Sequence, residues 1–149
     1  MSTHILDQDA PGLAGRLRAL SSETRHKVVV RAALFAAHRM SELDADTEVL
    51  LDKMRSSGEL SPQEAVSAMV LSEAADDRYF RLREQGAPAG VWQKSFSLAR
   101  LLRGIAVGFG ASPQEGIADA IYEIAKALDN STSLFEDIAS TIGRSAEIR

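Results

Sequence analysis

The amino-acid sequence predicts an all-α protein, a single-domain helical bundle of six to seven helices with no strands. Three observations lead there. The tetrapeptide Ser-Pro-Gln-Glu occurs at residues 61–64 and again at 112–115, each time just before apolar residues at helical spacing. Elsewhere apolar residues recur at steps of three and four, the signature of a buried helix stripe. No segment sustains the alternation that a half-buried strand needs. The 149 residues fit one domain, and with 45% hydrophobic but only 5% aromatic residues its core must rest on Ala, Leu, Val and Ile.

Residues 1–10 read as a flexible N-terminal tail and residues 11–149 as the helical domain. From Pro11 to Leu20 a short helix places Leu13, Leu17 and Leu20 on one side. Ser21 or Ser22 caps a long helix to about Leu43, whose stretch from Ala32 to Ala37 suits close approach to neighbours. After a link at residues 44–46, Asp46 caps a helix through Val49, Leu50, Leu51 and Met54 that stops at Gly58.

Ser61 opens the next helix, which runs to about Glu84. Its serine accepts a bond from an orphan N–H, and Pro62 gives up an N–H that the helix never uses. Glu64 reaches back to the cap. Gly86, Pro88 and Gly90 then break the chain and form the best candidate for a mobile loop. A fifth helix carries Trp92, Phe96, Leu98, Leu101, Leu102, Ile105 and Phe109, with Gly108 and Gly110 at its end. The second Ser-Pro-Gln-Glu starts a helix to about Leu128, burying Ile117, Ile121, Ile124 and Leu128. Asn130 to Thr132 turn the chain, and Ser133 with Glu136 forms a capping box for a last helix ending near Gly143.

The net charge of −4 is unevenly spread. Residues 1–40 hold six Lys/Arg against three Asp/Glu, and residues 41–84 hold five against eleven. Residues 85–111 hold three against none, and residues 112–149 three against seven. The simplest use of such blocks is pairing across the folded domain. An acidic average argues against nucleic acid as a ligand, since phosphate binding needs a concentrated basic face. With no cysteine, disulfides and thiolate metal sites are excluded. The absence of a long apolar run argues against a membrane span or membrane partner, and a cytoplasmic location is expected.

Chemistry-bearing groups are sparse. His4 lies in the tail, His26 in the basic turn Arg25-His26-Lys27, and His38 one turn before Glu42. The Glu-x-x-His spacing of bundle metal sites is absent, and the run around Asp44 lacks the glycine and terminal glutamate of a calcium loop. Its acids, Asp44, Asp46, Glu48 and Asp52, suit a helix N-terminus instead. No metal and no cofactor is expected. The turn from Gly108 to Ser112 meets a helix N-terminus, but no strand precedes it and no lysine follows its glycines. No nucleophile motif stands out, so a non-enzymatic role is favoured.

The helix from Ser61 to Glu84 is more informative. Ala68, Leu71, Ala75, Tyr79 and Leu82 share a face suited to the core, with Ser72 at its edge. The opposite face gathers Val66, Met69, Val70, Glu73, Asp76, Asp77 and Phe80. Two readings stand there. The acids hold the bundle together through salt bridges to the basic segments, or apolar anchors and acidic steering groups form an exposed docking face for a basic protein. A second polar stripe, Glu115, Asp119 and Glu123 with Tyr122 beside it, joins the candidate partner-binding set.

The opening of the long helix, Leu17 to Arg25 followed by Ala32 to Met40, resembles small all-helical bacterial immunity proteins. That resemblance implies a chain that neutralises a cognate toxin by binding and blocking it, and it carries no binding residue with it. The expectation is therefore a protein-binding module, most concretely an immunity-type inhibitor of a basic toxin. Two rivals remain. One is an enzyme or small-molecule binder with a pocket between helices lined by Trp92, His38 and Tyr79. The other is a homodimer or scaffold that pairs through its alanine-rich helix.

Overall fold

The computed structural model describes residues 4–40 and 43–147, with side chains as far as Gly143. Among these residues there are eight α-helices and no strand. In chain order they are α1 (Leu6–Asp9), α2 (Leu13–Arg18), α3 (Ser22–His38), α4 (Ala45–Ser57), α5 (Pro62–Glu84), α6 (Ala89–Gly108), α7 (Pro113–Lys126) and α8 (Thr132–Glu147).

The caps explain most of the boundaries. At α5 the backbone N–H of Glu64 donates to Ser61 Oγ (3.1 Å) and the Ser61 N–H donates back to Glu64 Oε1 (2.9 Å), a complete capping box. That bond holds the Glu64 carboxyl below the usual carboxylate range. Ser21 caps α3 by accepting from the Thr24 N–H. Gly58 ends α4 at φ 77°, a left-handed conformation that glycine adopts without strain. Gly86, at φ 74°, makes the turn between α5 and α6, and α6 begins at Ala89 within the segment read as a loop.

Four expectations need correction. The eighth helix is α1, in the segment read as a tail. There Leu6 is fully buried and His4, which accepts from the Leu6 N–H (2.9 Å), pairs with Asp119 of α7, a tertiary anchorage that four residues cannot announce by periodicity. Asp44, not Asp46, caps α4, because the Thr47 N–H donates to Asp44 Oδ1 (2.9 Å). Ser112 precedes α7 but makes no side-chain cap bond, since its ψ of 65° turns the hydroxyl away from the orphan N–H groups. The last helix starts at Thr132 and runs past Gly143 to Glu147, so Ser133 lies inside it.

Helix α6 is the centre of the arrangement, packing on α5, α7 and α3. Helix α7 also packs on α2 and α3, α8 lies against α3, and α4 contacts α3 and α5. Leu101, Leu102 and Ile105 of α6 are fully buried with Ile117, Ile121 and Ile124 of α7. Small residues let these helices approach closely. A Cβ on Gly104 would lie 2.5 Å from Ile124 Cγ1 and 2.8 Å from the Ala120 carbonyl oxygen, and one on Gly108 would lie 2.7 Å from Val29 Cγ1.

Gly104→Ala should therefore cost about 1–3 kcal/mol through overpacking. Gly15→Ala, in open space within α2, should be neutral or stabilising by up to about 1 kcal/mol. Chemical denaturation of both variants checks the contrast. Among the caps, Ser61→Ala should lose about 1 kcal/mol, while Ser112→Ala should stay within about 0.5 kcal/mol. Because the Glu64 pKa is lowered in the folded state, its stabilisation is present above the ordinary carboxylate value and fades as pH falls through the lowered one. The stability gap between wild type and Glu64→Gln should accordingly narrow as pH falls below the ordinary carboxylate value.

Candidate functional site

Helix α5 is built with its residue sizes inverted. Its buried side, facing α6, consists of Ala65, Ala68, Ser72 and Ala75. Ser72, expected at the edge of that side, lies inside it at 1% exposure and donates its hydroxyl to the Ala99 carbonyl of α6 (2.9 Å). Leu71, Tyr79 and Leu82 are half-buried on its flanks. The larger apolar residues stand outside, with Val66 at 64% exposure and Val70 and Phe80 at 59% each. Glu73 and Asp77 are exposed between them, and Met69 is half-buried against the core. Burying a Val or Phe side chain is worth about 1.5–3 kcal/mol, so leaving three such residues in water forgoes stabilisation that the alanine side does not replace.

The outer residues also keep a register. Val66, Val70, Glu73, Asp77 and Phe80 follow steps of four, three, four and three, the spacing of a seam between paired helices. The inner set, Ala65, Ala68, Ser72, Ala75 and Tyr79, follows the same spacing on the opposite side and packs on α6. Among the described residues only the inner face of α5 meets a neighbouring helix.

An aromatic cluster continues the outer stripe toward the turn. Tyr79 sits 5.0 Å from Phe80, 5.5 Å from Trp92 and 5.3 Å from Phe96, measured between ring centroids. Arg83 lies over both Trp92 (5.3 Å) and Tyr79 (5.6 Å), and donates to the Tyr79 hydroxyl (2.8 Å). Val91 beside it is 47% exposed. The only tryptophan, one of two tyrosines and two of five phenylalanines thus gather outside the main core. Trp and Tyr with Arg are the residues most enriched at binding hot spots. Of the three residues expected to line one pocket, Trp92 and Tyr79 do meet and His38 lies apart, while Phe96, Arg83 and Val91 join the cluster without a signal of their own. Phe80 and Trp92 stand at equal distances from Gly86, so a helical hairpin brings them together.

The acids divide between the two readings. Asp76 belongs to the bundle: Arg100 of α6 donates Nη2 to both Asp76 oxygens (3.0 Å each) and Nη1 to Glu123 Oε2 of α7 (3.0 Å). Arg103 lies 3.6 Å from the other Glu123 oxygen. Glu123, a candidate docking residue, is thus held within the fold at 18% side-chain exposure. Asp119 pairs with His4, and Tyr122 meets the His4 ring edge-on and Lys126 by its face. Glu115 is exposed. Glu73 and Asp77 form no ion pair among the described residues, and only the backbone carbonyl of Asp77 is engaged, by Arg81. With α6 between α5 and α7, the two candidate stripes do not merge, and only on α5 do the candidate acids stand exposed beside exposed apolar side chains.

The rival sites fare differently. His38 lines a groove of about 1050 Å³ among α3, α4 and α8, with Leu34, Phe35, Met40 and Met54, and neither Trp92 nor Tyr79 reaches it. Its cations are engaged: Arg31 is bidentate to Asp137 (2.7 and 2.8 Å), Arg55 pairs with Asp52, and Arg39 stacks 3.5 Å over Phe35. Glu42, the expected contact of His38, lies outside the described residues. His26 stacks on Phe109 and faces Glu59 at 3.5 Å. Among the described residues no three His, Asp or Glu side chains gather as a metal-binding group. Ala32, Ala33, Ala36 and Ala37 are all buried, so the alanine-rich face is used within the fold and is closed to a second copy. No described helix is long and apolar enough to cross a membrane.

No protein-family model matches this chain, and no curated protein or solved structure matches it. Its role therefore rests on the geometry of its own surface.

Asp76 and Asp77 supply a direct contrast. Asp76→Ala should cost about 1.5–3 kcal/mol, the range for a hydrogen bond to a charged group, because it breaks a half-buried chelate of Arg100. Glu73→Lys with Asp77→Lys should leave stability within about 0.5 kcal/mol. Thermal melts of the two variants check the difference.

Proposed function

We propose that this chain is a protein-binding module whose docking surface is the outer stripe of α5 together with the aromatic cluster beside the α5–α6 turn. The most concrete form of that function is an immunity-type inhibitor that neutralises a cognate bacterial toxin by occlusion in the cytoplasm. The size inversion of α5 carries the reading. A helix that buries alanine and exposes Val66, Val70 and Phe80 gains its missing apolar contact only when something covers it. Exposed carboxylates at Glu73 and Asp77 would steer a basic partner toward the patch, and Trp92, Tyr79 and Arg83 fit the role of anchors at one end. Occlusion asks for no catalytic group, which suits a chain whose acids and cations serve mainly as caps and bridges. The resemblance of residues 17–40 to immunity proteins adds the toxin as the class of partner.

Co-expression with the toxin domain encoded in its own gene neighbourhood tests this function. The wild-type chain should restore growth, and Val70→Glu with Phe80→Asp should abolish protection while the melting temperature stays put. Protection untouched by those substitutions would move the function off this face. A neighbourhood without a toxin gene would count against inhibition itself.

A further inference from the structure

Resting on that docking surface, we infer that its occupant is a basic amphipathic helix of another protein, lying along α5 with its cations opposite Glu73 and Asp77. The four-three-four-three register of Val66, Val70, Glu73, Asp77 and Phe80 is the spacing by which helices pair side by side. Helix α5 uses the same spacing on its inner side to pack on α6. A partner helix would present apolar residues at both ends of the seam, over Val66 with Val70 and over Phe80. Lysine or arginine would stand at the positions between, where the two carboxylates are exposed and carry no ion pair among the described residues.

Charge disfavours a second copy of this chain wherever the two seams align at their centres. A parallel two-fold pairing stacks Glu73 on Glu73 and Asp77 on Asp77. An antiparallel pairing centred on Glu73 again sets Glu73 on itself and lays Asp77 near Val70. Like charges in contact at the middle of a helical seam repel, and acids laid on valines lose water without gaining a partner. A cationic helix removes both penalties. Arg81, which donates to the Asp77 carbonyl, places one positive charge beside Phe80. The matching helix accordingly carries its cations at the centre of the seam and away from the Phe80 end.

Two synthetic helical peptides of about 20 residues test this. Both carry leucine at the seam ends; one has lysine and the other glutamate at the two central positions. The lysine peptide should bind at least about tenfold more tightly, with an advantage that shrinks as salt rises. Glu73→Lys with Asp77→Lys, shown by its melting curve to be folded, should reverse the preference between the peptides. A preference that survives the double substitution, or failure of both peptides to bind, would overturn the inference. So would sedimentation showing that the chain alone dimerises and that Val70→Glu dissolves the dimer. Equal binding of both peptides, lost in Val70→Glu, would also overturn the cationic helix while leaving the docking face standing. The growth-protection experiment judges that face independently.

Discussion

The close approach of α6 to its neighbours is the constraint on which the rest of the structure depends. Gly104 lets the α6 backbone lie against Ile124 and Ala120 of α7, and Gly108 lets it lie against Val29 of α3. Neither position has room for a methyl group without a shift in its neighbour. On its other side α6 receives Ala65, Ala68, Ser72 and Ala75 of α5, with the Ser72 hydroxyl bonded to the Ala99 carbonyl. Small residues buy short interhelical distances at the expense of buried area per residue. Leu101, Leu102 and Ile105 of α6 and Ile117, Ile121 and Ile124 of α7 are fully buried, whereas the buried residues of α5 are alanine and serine.

That division shapes the surface. Because α5 meets α6 through alanine and serine, the apolar residues that a more ordinary amphipathic helix would bury remain on its far side. Arg100 compensates in part by tying Asp76 of α5 to Glu123 of α7 across the middle helix, with its guanidinium 5.7 Å from the Phe96 ring. A chelate of this kind fixes the rotation of α5 about its own axis, since sliding or turning the helix would break two hydrogen bonds to a half-buried guanidinium. The same rotation holds Val66, Val70, Glu73, Asp77 and Phe80 outward in register. Packing and electrostatics inside the hairpin thereby determine what the outside presents.

Much of this fold was legible in the sequence because its signals are local. The Ser61 capping box, the Gly58 stop and the isoleucine stripe of α7 depend on residues within one or two turns, and all three are present in the structure. What failed depends on distant residues or on backbone angles. Ser112 has the same tetrapeptide as Ser61 but a ψ of 65° set by the preceding turn, and no cap bond forms. Helix α1 exists because His4 and Leu6 find places on the folded body, which no four-residue pattern reveals. The site divides likewise. Asp76 and Asp77 are adjacent in sequence and 100° apart on the helix, and only the position of Arg100 decides that the first is structural and the second exposed. Trp92 and Tyr79 were grouped from the sequence, but Phe96 and Arg83 join them only once the hairpin is closed.

The central claim is that α5 packs through its small residues and leaves Val66, Val70 and Phe80 exposed. The chain contains no cysteine, so single thiols report on this directly. Cysteine placed at Val70 should react with a thiol reagent as fast as an unstructured peptide thiol in the free protein. Cysteine at Ser72, close to serine in size, should be protected to the degree that the fold is stable. A protected thiol at residue 70 in the monomeric chain, or equal reactivity at 70 and 72, would contradict the account.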